Sequence, residues 1–149
     1  MQQGQKPRVP AVEYLFTWPS DKPQLIGSKC KSCNTYYFPE VYTCVNPDCN
    51  QKQNVEQAYL SRIGKLWSYT IQAYQPPPPH PQVPREEFVP FAVGVVELPE
   101  GIRVIGKLTT AENLERGMKM ELEAGKLHED EDKEYLTWQF RPIEENKGG

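Results

Sequence analysis

The stretch CKSCNTYYFPEVYTCVNPDC, from Cys30 to Cys49, decides how the N-terminal part of this chain folds. It contains two cysteine pairs, spaced C-x2-C and C-x4-C, with ten residues between them. Each pair can direct two thiolates toward one ion, and both pairs together complete a tetrahedral shell of four sulfurs. The spacing therefore predicts a structural zinc ribbon whose ligands are Cys30, Cys33, Cys44 and Cys49.

The metal and the cysteines each have one alternative reading. Tetrahedral thiolate sites hold mostly zinc or iron, so a single iron centre is the second choice after Zn2+. Two disulfides are the other alternative, but grouped cysteines of a cytoplasmic chain stay reduced. We expect the metal to be structural, because a closed shell of four protein ligands leaves no position for water or substrate.

Composition narrows the class of protein. The 149 residues include 17 Lys and Arg against 20 Asp and Glu, which gives a formal charge of −3. A general nucleic-acid binder needs surplus cations to neutralise phosphates, so this balance argues against one. The longest apolar run, Phe91–Val96, is far shorter than the roughly 20 residues of a membrane-spanning helix. The N-terminus lacks an apolar secretory signal, so we expect a cytoplasmic protein.

Proline content, cysteine position and charge divide the chain into four segments. Residues 1–24 contain four prolines and are expected to form an extended arm, because each proline favours extended backbone in the residue before it. Residues 25–53 hold every cysteine and are too short to fold without a metal or disulfides. The charge changes near Asn54, from two surplus cations before it to five surplus anions from it onward. The remaining segments are a β domain at residues 54–143 and a flexible tail at residues 144–149.

The segment after Asn54 has the pattern of a β protein. Its apolar stretches are short and rich in β-branched and aromatic residues. Five of them are expected to form strands: Arg62–Tyr74, Phe91–Leu98, Ile102–Thr109, Met118–Glu123 and Tyr135–Phe140. Five such strands predict a small partly open barrel, because closing a sheet limits its exposed edges.

Two segments between these strands are expected to be loops. Gln75–Val89, the proline loop, contains six prolines, and Gly125–Glu134, the acidic segment, contains five carboxylates. Proline cannot donate to a strand ladder, and a charge run is typical of a solvated loop.

The proline loop is also a candidate surface for partner contact, because an already extended segment loses less entropy when it docks. Its candidate residues are Pro77, Pro78 and His80. Trp18 in the arm is a further candidate, since aromatic residues are enriched in interface cores. Packing of Trp18 on the chain's own core is an equally weighted alternative.

No catalytic set stands out. His80 and His128 have no neighbouring Ser or Cys that would form a nucleophile pair. The nucleophile-elbow, phosphate-loop and dinucleotide motifs are absent from the sequence. Because the predicted metal uses every thiol, we expect the isolated chain to catalyse nothing.

Several segments in a fixed order resemble one known family. They are Cys30-x2-Cys33, Phe38-Pro39, Cys44 and Cys49, followed by Gly64–Thr70, Pro90–Leu98, Gly101–Leu108 and Gly117–Glu121. From about Leu25 to about Pro142 the chain resembles small proteins with an N-terminal zinc ribbon and a C-terminal acyl-CoA-associated OB-fold. The resemblance implies a mostly β fold in which rubredoxin-like knuckles precede a five-stranded OB-fold barrel. The x4 spacing of the second pair departs from the x2 usual in the family and enlarges that knuckle.

The resemblance also implies a role. Members of this family are companions of a larger thiolase or aldolase subunit that makes or breaks carbon–carbon bonds of CoA thioesters, and that subunit carries the catalytic Cys and His. Family examples serve sterol side-chain degradation, mevalonate precursor synthesis and anaerobic aromatic degradation, the last as the small subunit of a benzoylsuccinyl-CoA thiolase. The resemblance therefore implies a non-catalytic zinc subunit of an acyltransferase complex, with aromatic degradation as the favoured pathway. The alternatives are a nucleic-acid or protein-binding adaptor and an iron electron carrier.

CoA contact would need cations for its phosphates. The cations closest to the expected strands and the proline loop are Arg62, Lys65, Arg85, Arg103 and Lys107. Arg suits bidentate phosphate contacts, and Lys suits a point contact. We treat these five residues as a pool of candidate CoA ligands, with solvated strand edges as the alternative for each.

Overall fold

The chain folds into two β-sheets, and the computed structural model describes residues 6–78 and 82–143. In these ranges the strands are β1 (Arg8–Pro10), β2 (Ile26–Cys30), β3 (Tyr36–Tyr37), β4 (Val55–Tyr59), β5 (Ile63–Gln72), β6 (Phe91–Glu97), β7 (Arg103–Leu108), β8 (Lys119–Glu129) and β9 (Glu134–Pro142). The helical element of these ranges is one 3₁₀ turn at Arg85–Glu87. No helix in the described part of the chain is long and apolar enough to cross a membrane.

The smaller sheet, the ribbon sheet, has the strand order β3-β2-β4 with both pairings antiparallel. Gly27 permits the approach of β2 to β3, because a Cβ at this position would lie 2.3 Å from the carbonyl oxygen of Tyr37. This close pairing places Cys30 at the end of β2, beside the loop that connects β3 to β4.

The larger sheet closes into a barrel. Strands follow the order β5-β6-β7-β9-β8, and β8 pairs with β5 to complete the circle. The pairing of β7 with β9 is parallel, and the other four barrel pairings are antiparallel. The fold class predicted from the sequence is confirmed: a mostly β chain with a four-cysteine N-terminal region and a five-stranded barrel.

One apolar core fills the barrel and continues to the base of the ribbon sheet. Strand β6 shows the underlying pattern, since its residues alternate between buried and half-buried positions along the strand. The buried members of this core are Phe16, Leu25, Leu60, Leu66, Ala92, Val96, Leu98, Val104, Leu108, Met120, Leu122, Leu136 and Phe140. Leu25 and Leu60 flank the ribbon sheet, so the two sheets share hydrophobic contacts.

The N-terminal arm packs against the barrel. Strand β1 pairs in parallel with β9, from Arg8 opposite Glu134. Phe16 is 4% exposed, and Trp18 is half-buried against the core, with its indole N–H donating to the carbonyl of Arg8 at 3.1 Å. Phe16 and Trp18 therefore contact the chain's own core, and the partner role of Trp18 stays a prediction.

The ribbon sheet includes residues beyond position 53. Strand β4 pairs with β2 over five residue pairs, from Ile26 opposite Tyr59 to Cys30 opposite Val55. The chain then enters the barrel through Leu60 and Ser61, and residues 144–149 lie outside the described residues. The predicted division into an arm, a ribbon, an OB-fold domain and a tail stays a prediction.

The prediction that the acidic segment is a loop is wrong. Strand β8 continues to Glu129 and β9 begins at Glu134, so a turn of only four residues separates them. The carboxylate of Asp130 accepts the N–H groups of Asp132 and Lys133 at 2.8 Å each and closes this turn. Carboxylates on an exposed hairpin stay hydrated, so they do not oppose strand pairing. In contrast, the described part of the proline loop contains no strand, as expected.

The charged end of this hairpin makes stability depend on pH. Lys126, at 2.6 Å, and then Lys6, at 3.0 Å, lower the pKa of Glu129 from 4.5 to about 2. A depressed folded-state pKa stabilises the fold above the unfolded value, and this contribution disappears as the pH falls from about 4.5 to about 2. We expect Glu129→Gln to reduce the loss of urea resistance across that interval, measured as unfolding midpoints at a series of pH values. Glu131→Gln, which removes a charge from the same hairpin, should leave the acid profile unchanged; equal profiles for Glu129→Gln and the native chain would contradict the expectation.

Candidate metal centre and outer face of the barrel

The four cysteines converge at one end of the ribbon sheet. All four Sγ atoms lie within 4.8 Å of one another. The Sγ atoms of Cys30 and Cys49 are 3.7 Å apart, and those of Cys33 and Cys44 are also 3.7 Å apart. Three of the thiols are buried and Cys33 is half-buried, so the cluster is largely shielded from solvent.

Two turns direct the thiols inward. In the first, Asn34 has a positive φ of 63°, and its N–H donates to the carbonyl of Cys30 at 2.7 Å. In the second, the N–H of Cys49 donates to the carbonyl of Asn46 at 3.0 Å. The Asn46 side chain accepts the N–H of Asp48 at 3.0 Å, which organises the longer x4 knuckle.

Hydrogen bonds favour the thiolate form at two positions. The Thr35 hydroxyl, 3.1 Å from the sulfur, lowers the pKa of Cys33 from 9.0 to about 6 despite an opposing effect of desolvation. The Tyr37 hydroxyl, 3.2 Å from its sulfur, lowers the pKa of Cys44. The same contact raises the pKa of Tyr37.

Cys49 behaves in the opposite way. The N–H of Gln51 lowers its pKa, but desolvation and the neighbouring thiols outweigh that effect and raise the pKa to about 11. Four thiolates this close repel one another unless a cation balances their charge, so some of the thiols become acidic while one stays protonated. Binding a divalent cation would therefore release protons from this cluster.

The geometry fits a four-coordinate zinc ion. A Zn–S bond of about 2.3 Å in a tetrahedron implies an S···S edge of about 3.8 Å. The two 3.7 Å separations match that edge. In such a site the ion would join the end of β2 and the turn after it to the loop between β3 and β4, and it would have no open position for catalysis.

The five candidate CoA cations lie in different surroundings. Arg62 is held by Glu121 at 2.7 Å and by the carbonyl groups of Pro23 and Leu122 at 3.0 and 2.8 Å. Arg103 lies 3.9 Å from the centre of the Trp67 ring.

The other three candidates are exposed, as Arg103 also is. Lys65 lies on β5 and Arg85 lies in the 3₁₀ turn, whereas Lys107 lies on β7 with its ammonium 5.0 Å from the centre of the Phe91 ring. The pool therefore does not form one cluster, and its role in CoA binding stays a prediction.

A groove lies on the outer face of the barrel, and apart from Lys107 its lining residues are outside the candidate set of the sequence analysis. This outer groove encloses about 520 Å³ between the proline loop, β6, β7 and the β8–β9 hairpin. Its apolar lining includes Phe88, Val89, Phe91, Val93, Ile105 and Leu127. OB-folds bind ligands along their second and third strands and at the loops after their first and fourth strands. In this barrel, whose first strand is β5, those strands are β6 and β7, and those loops are the proline loop and the turn of the β8–β9 hairpin. The available signal was the alternation of β6 and β7, which leaves apolar residues outside a barrel that is already filled.

Side-chain amides of Gln75 and Gln82 fix the base of the proline loop, and the Gln82 amide donates to the carbonyl of Pro76 at 2.9 Å. The amide of Gln75 accepts the N–H of Val83 at 2.7 Å and donates to its carbonyl at 3.1 Å. This bracket holds the loop beside the outer groove and leaves Pro77 and Pro78 exposed. His80 lies outside the described residues. The partner role of these three residues stays a prediction.

A four-thiol ribbon that precedes a five-stranded barrel defines a protein of the zinc-ribbon and OB-fold type. The family described as the ChsH2 C-terminal OB-fold domain matches residues 57–124. A DUF35 domain-containing scaffold protein of Methanocaldococcus jannaschii is 33% identical over 124 residues, which cover 80% of this chain and 82% of that protein. The chain belongs to the DUF35 family.

Two further relatives carry more specific names. BbsA, a subunit of the benzoylsuccinyl-CoA thiolase of Thauera aromatica, is 28% identical over 140 residues, with 87% of this chain and 85% of BbsA covered. A solved structure named Ltp2-ChsH2(DUF35) aldolase superimposes with a TM-score of 0.58 at 26% identity, and the match covers 80% of this chain and 84% of that one. The family resemblance seen in the sequence is thereby confirmed.

Proposed function

We propose that this chain is a non-catalytic, zinc-binding subunit of a thiolase-type complex that acts on CoA thioesters in the cytoplasm. The observation that carries the proposal is the convergence of all four cysteines on one point. A chain that commits every thiol to a closed metal shell has no cysteine left to act as a nucleophile. Its relatives bear the names of a scaffold protein, a thiolase subunit and an aldolase complex, which supports a companion role.

The metal in this proposal is Zn2+, with Cys30, Cys33, Cys44 and Cys49 as its ligands. The tetrahedral S···S edges support this assignment. The ion fixes the loop between β3 and β4, which has little apolar core of its own. The ribbon thus becomes rigid enough to present a surface to the catalytic subunit.

The substrate class follows from the family and not from the geometry. BbsA supports an acyl-CoA substrate, and its name favours a role in the degradation of aromatic compounds. Exposed cations on or beside the barrel, such as Lys65, Arg85 and Lys107, are available for the phosphates of a CoA shared with the partner. Arg62 is less available, because its guanidinium already contacts three acceptors.

Purification of the tagged chain from its native host, with mass identification of bound proteins and metal analysis of the same sample, tests the proposal. We expect a larger thiolase-type or aldolase chain in a fixed ratio, one zinc ion per chain and a colourless product. A monomer that affects no thiolase would contradict the companion role. Salt-sensitive, submicromolar binding to single-stranded nucleic acid would support the adaptor alternative. Visible absorption that bleaches on reduction would indicate iron in place of zinc.

A further inference from the structure

The outer groove has the size and lining of a small-molecule site. Its volume of about 520 Å³ lies within the range of roughly 300–1,000 Å³ usual for ligand sites. Its floor is apolar yet poorly covered, since Ile105 is 62% exposed on β7 and Val89 is 74% exposed at the rim. A contiguous exposed apolar surface that is flanked by polar groups is typical of a binding site.

Three charged residues line the outer groove, and they are not equivalent. Lys126 is already neutralised by Glu129 at 2.6 Å. Glu87 lies in the 3₁₀ turn on the proline-loop side. Lys107 projects from the floor beside Phe91, and no ion pair among the described residues includes it.

The polar side chains around Lys107 do not supply a counter-charge. Gln139 directs its amide N–H to Glu123 at 2.5 Å, and Gln72 donates to the carbonyl of Tyr74 at 2.6 Å. The floor therefore presents one cation without a carboxylate partner, surrounded by apolar surface. A ligand that complements it needs an apolar body and one anionic group.

We infer that the outer groove binds a small amphipathic carboxylate, with its aryl or alkyl body on Phe91, Val93 and Ile105 and its carboxylate on the ammonium of Lys107. Glu87, on the proline-loop side of the groove, repels an anion and so favours the orientation in which the carboxylate lies on Lys107. The inference goes beyond the proposed function, because neither the partner subunit nor a metal ion has to contact the carboxylate ligand.

Titration of the full chain with phenylbutanoate and with its neutral amide, followed by nitrogen-edited NMR, tests the site. We expect saturable shifts at the backbone N–H of Gly106 and at the indole N–H of Trp138, which donates to the Ile105 carbonyl at 3.0 Å. The carboxylate should bind at least about fivefold more tightly than the amide, as expected for one charge-assisted contact.

Matched variants separate charge from apolar contact. Lys107→Gln should remove the preference for the carboxylate, whereas Glu87→Gln should preserve or increase it. Ile105→Asp should abolish binding of both probes. Equal affinity of the two probes for the native chain, a preference that survives Lys107→Gln, or the absence of saturable shifts would overturn the inference, and none of these results bears on whether the chain binds a thiolase.

Discussion

Cys30→Ser is expected to remove the metal from the protein and to unfold the ribbon sheet while the barrel stays folded. Cys30 belongs both to β2 and to the thiol cluster, so its loss would break one of the four bonds to the proposed ion and weaken the end of the sheet. Structural zinc contributes about 10–16 kcal/mol of apparent binding energy in isolated ribbon-sized peptides, and this energy is also folding energy. Zinc per chain, measured by elemental analysis, should fall from one to near zero, and binding to the catalytic subunit should be lost with it.

The control lies two residues away. Ser32→Ala removes the hydroxyl that accepts the side-chain N–H of Asn54 at 2.7 Å, but it leaves all four sulfurs in place. This variant should keep its metal and its partner. The backbone N–H chemical shifts of Leu66 and Val96, which are buried in the barrel core, should be the same in both variants. If Cys30→Ser retained a full complement of metal, Cys30 would not be a ligand.

Phe140→Ala is expected to lower the free energy of unfolding by about 3–5 kcal/mol. Phe140 is fully buried on β9, the strand that joins β7 to β8 and thereby closes the barrel. Its ring packs directly over Gly106, where an added Cβ would lie 3.0 Å from it. Removing the ring leaves a cavity that the closed barrel cannot collapse to fill, which adds to the lost transfer energy.

Urea unfolding of the metal-loaded protein measures this cost. Ile71→Ala serves as the control, because Ile71 lies on β5 but is 43% exposed. The control should cost less than about 1 kcal/mol. A comparable loss in both variants would show that the barrel core does not depend on the closing strand.

Local patterns predicted much of this fold for a physical reason. Ligand spacing and strand alternation each involve only a few consecutive residues. The spacing of Cys30 and Cys33 therefore predicts a knuckle, and the alternation in β6 predicts a half-buried strand. The proline loop is equally local, because proline removes the N–H that a ladder needs. Each of these features was read without knowing what lies across the sheet.

The prediction of a loop in the acidic segment is wrong because strand formation also depends on pairing with residues outside the segment. Its charge run is typical of a loop, yet Lys6 from the arm and Lys126 from the same hairpin neutralise Glu129. Register with β9 then extends β8 to Glu129. No rule limited to residues 125–134 contains that information.

The division between sequence and tertiary structure is clearest in the cations. The sequence by itself determined that four thiols share one region, that short strands follow them and that cations lie near those strands. Only the tertiary structure decided that Arg62 is held by Glu121, that Lys107 faces an apolar groove and that Trp18 packs on its own core. The reason is that closing the barrel joins strands far apart in the chain, and this closure alone settles which side chains face the interior, an ion partner or the solvent.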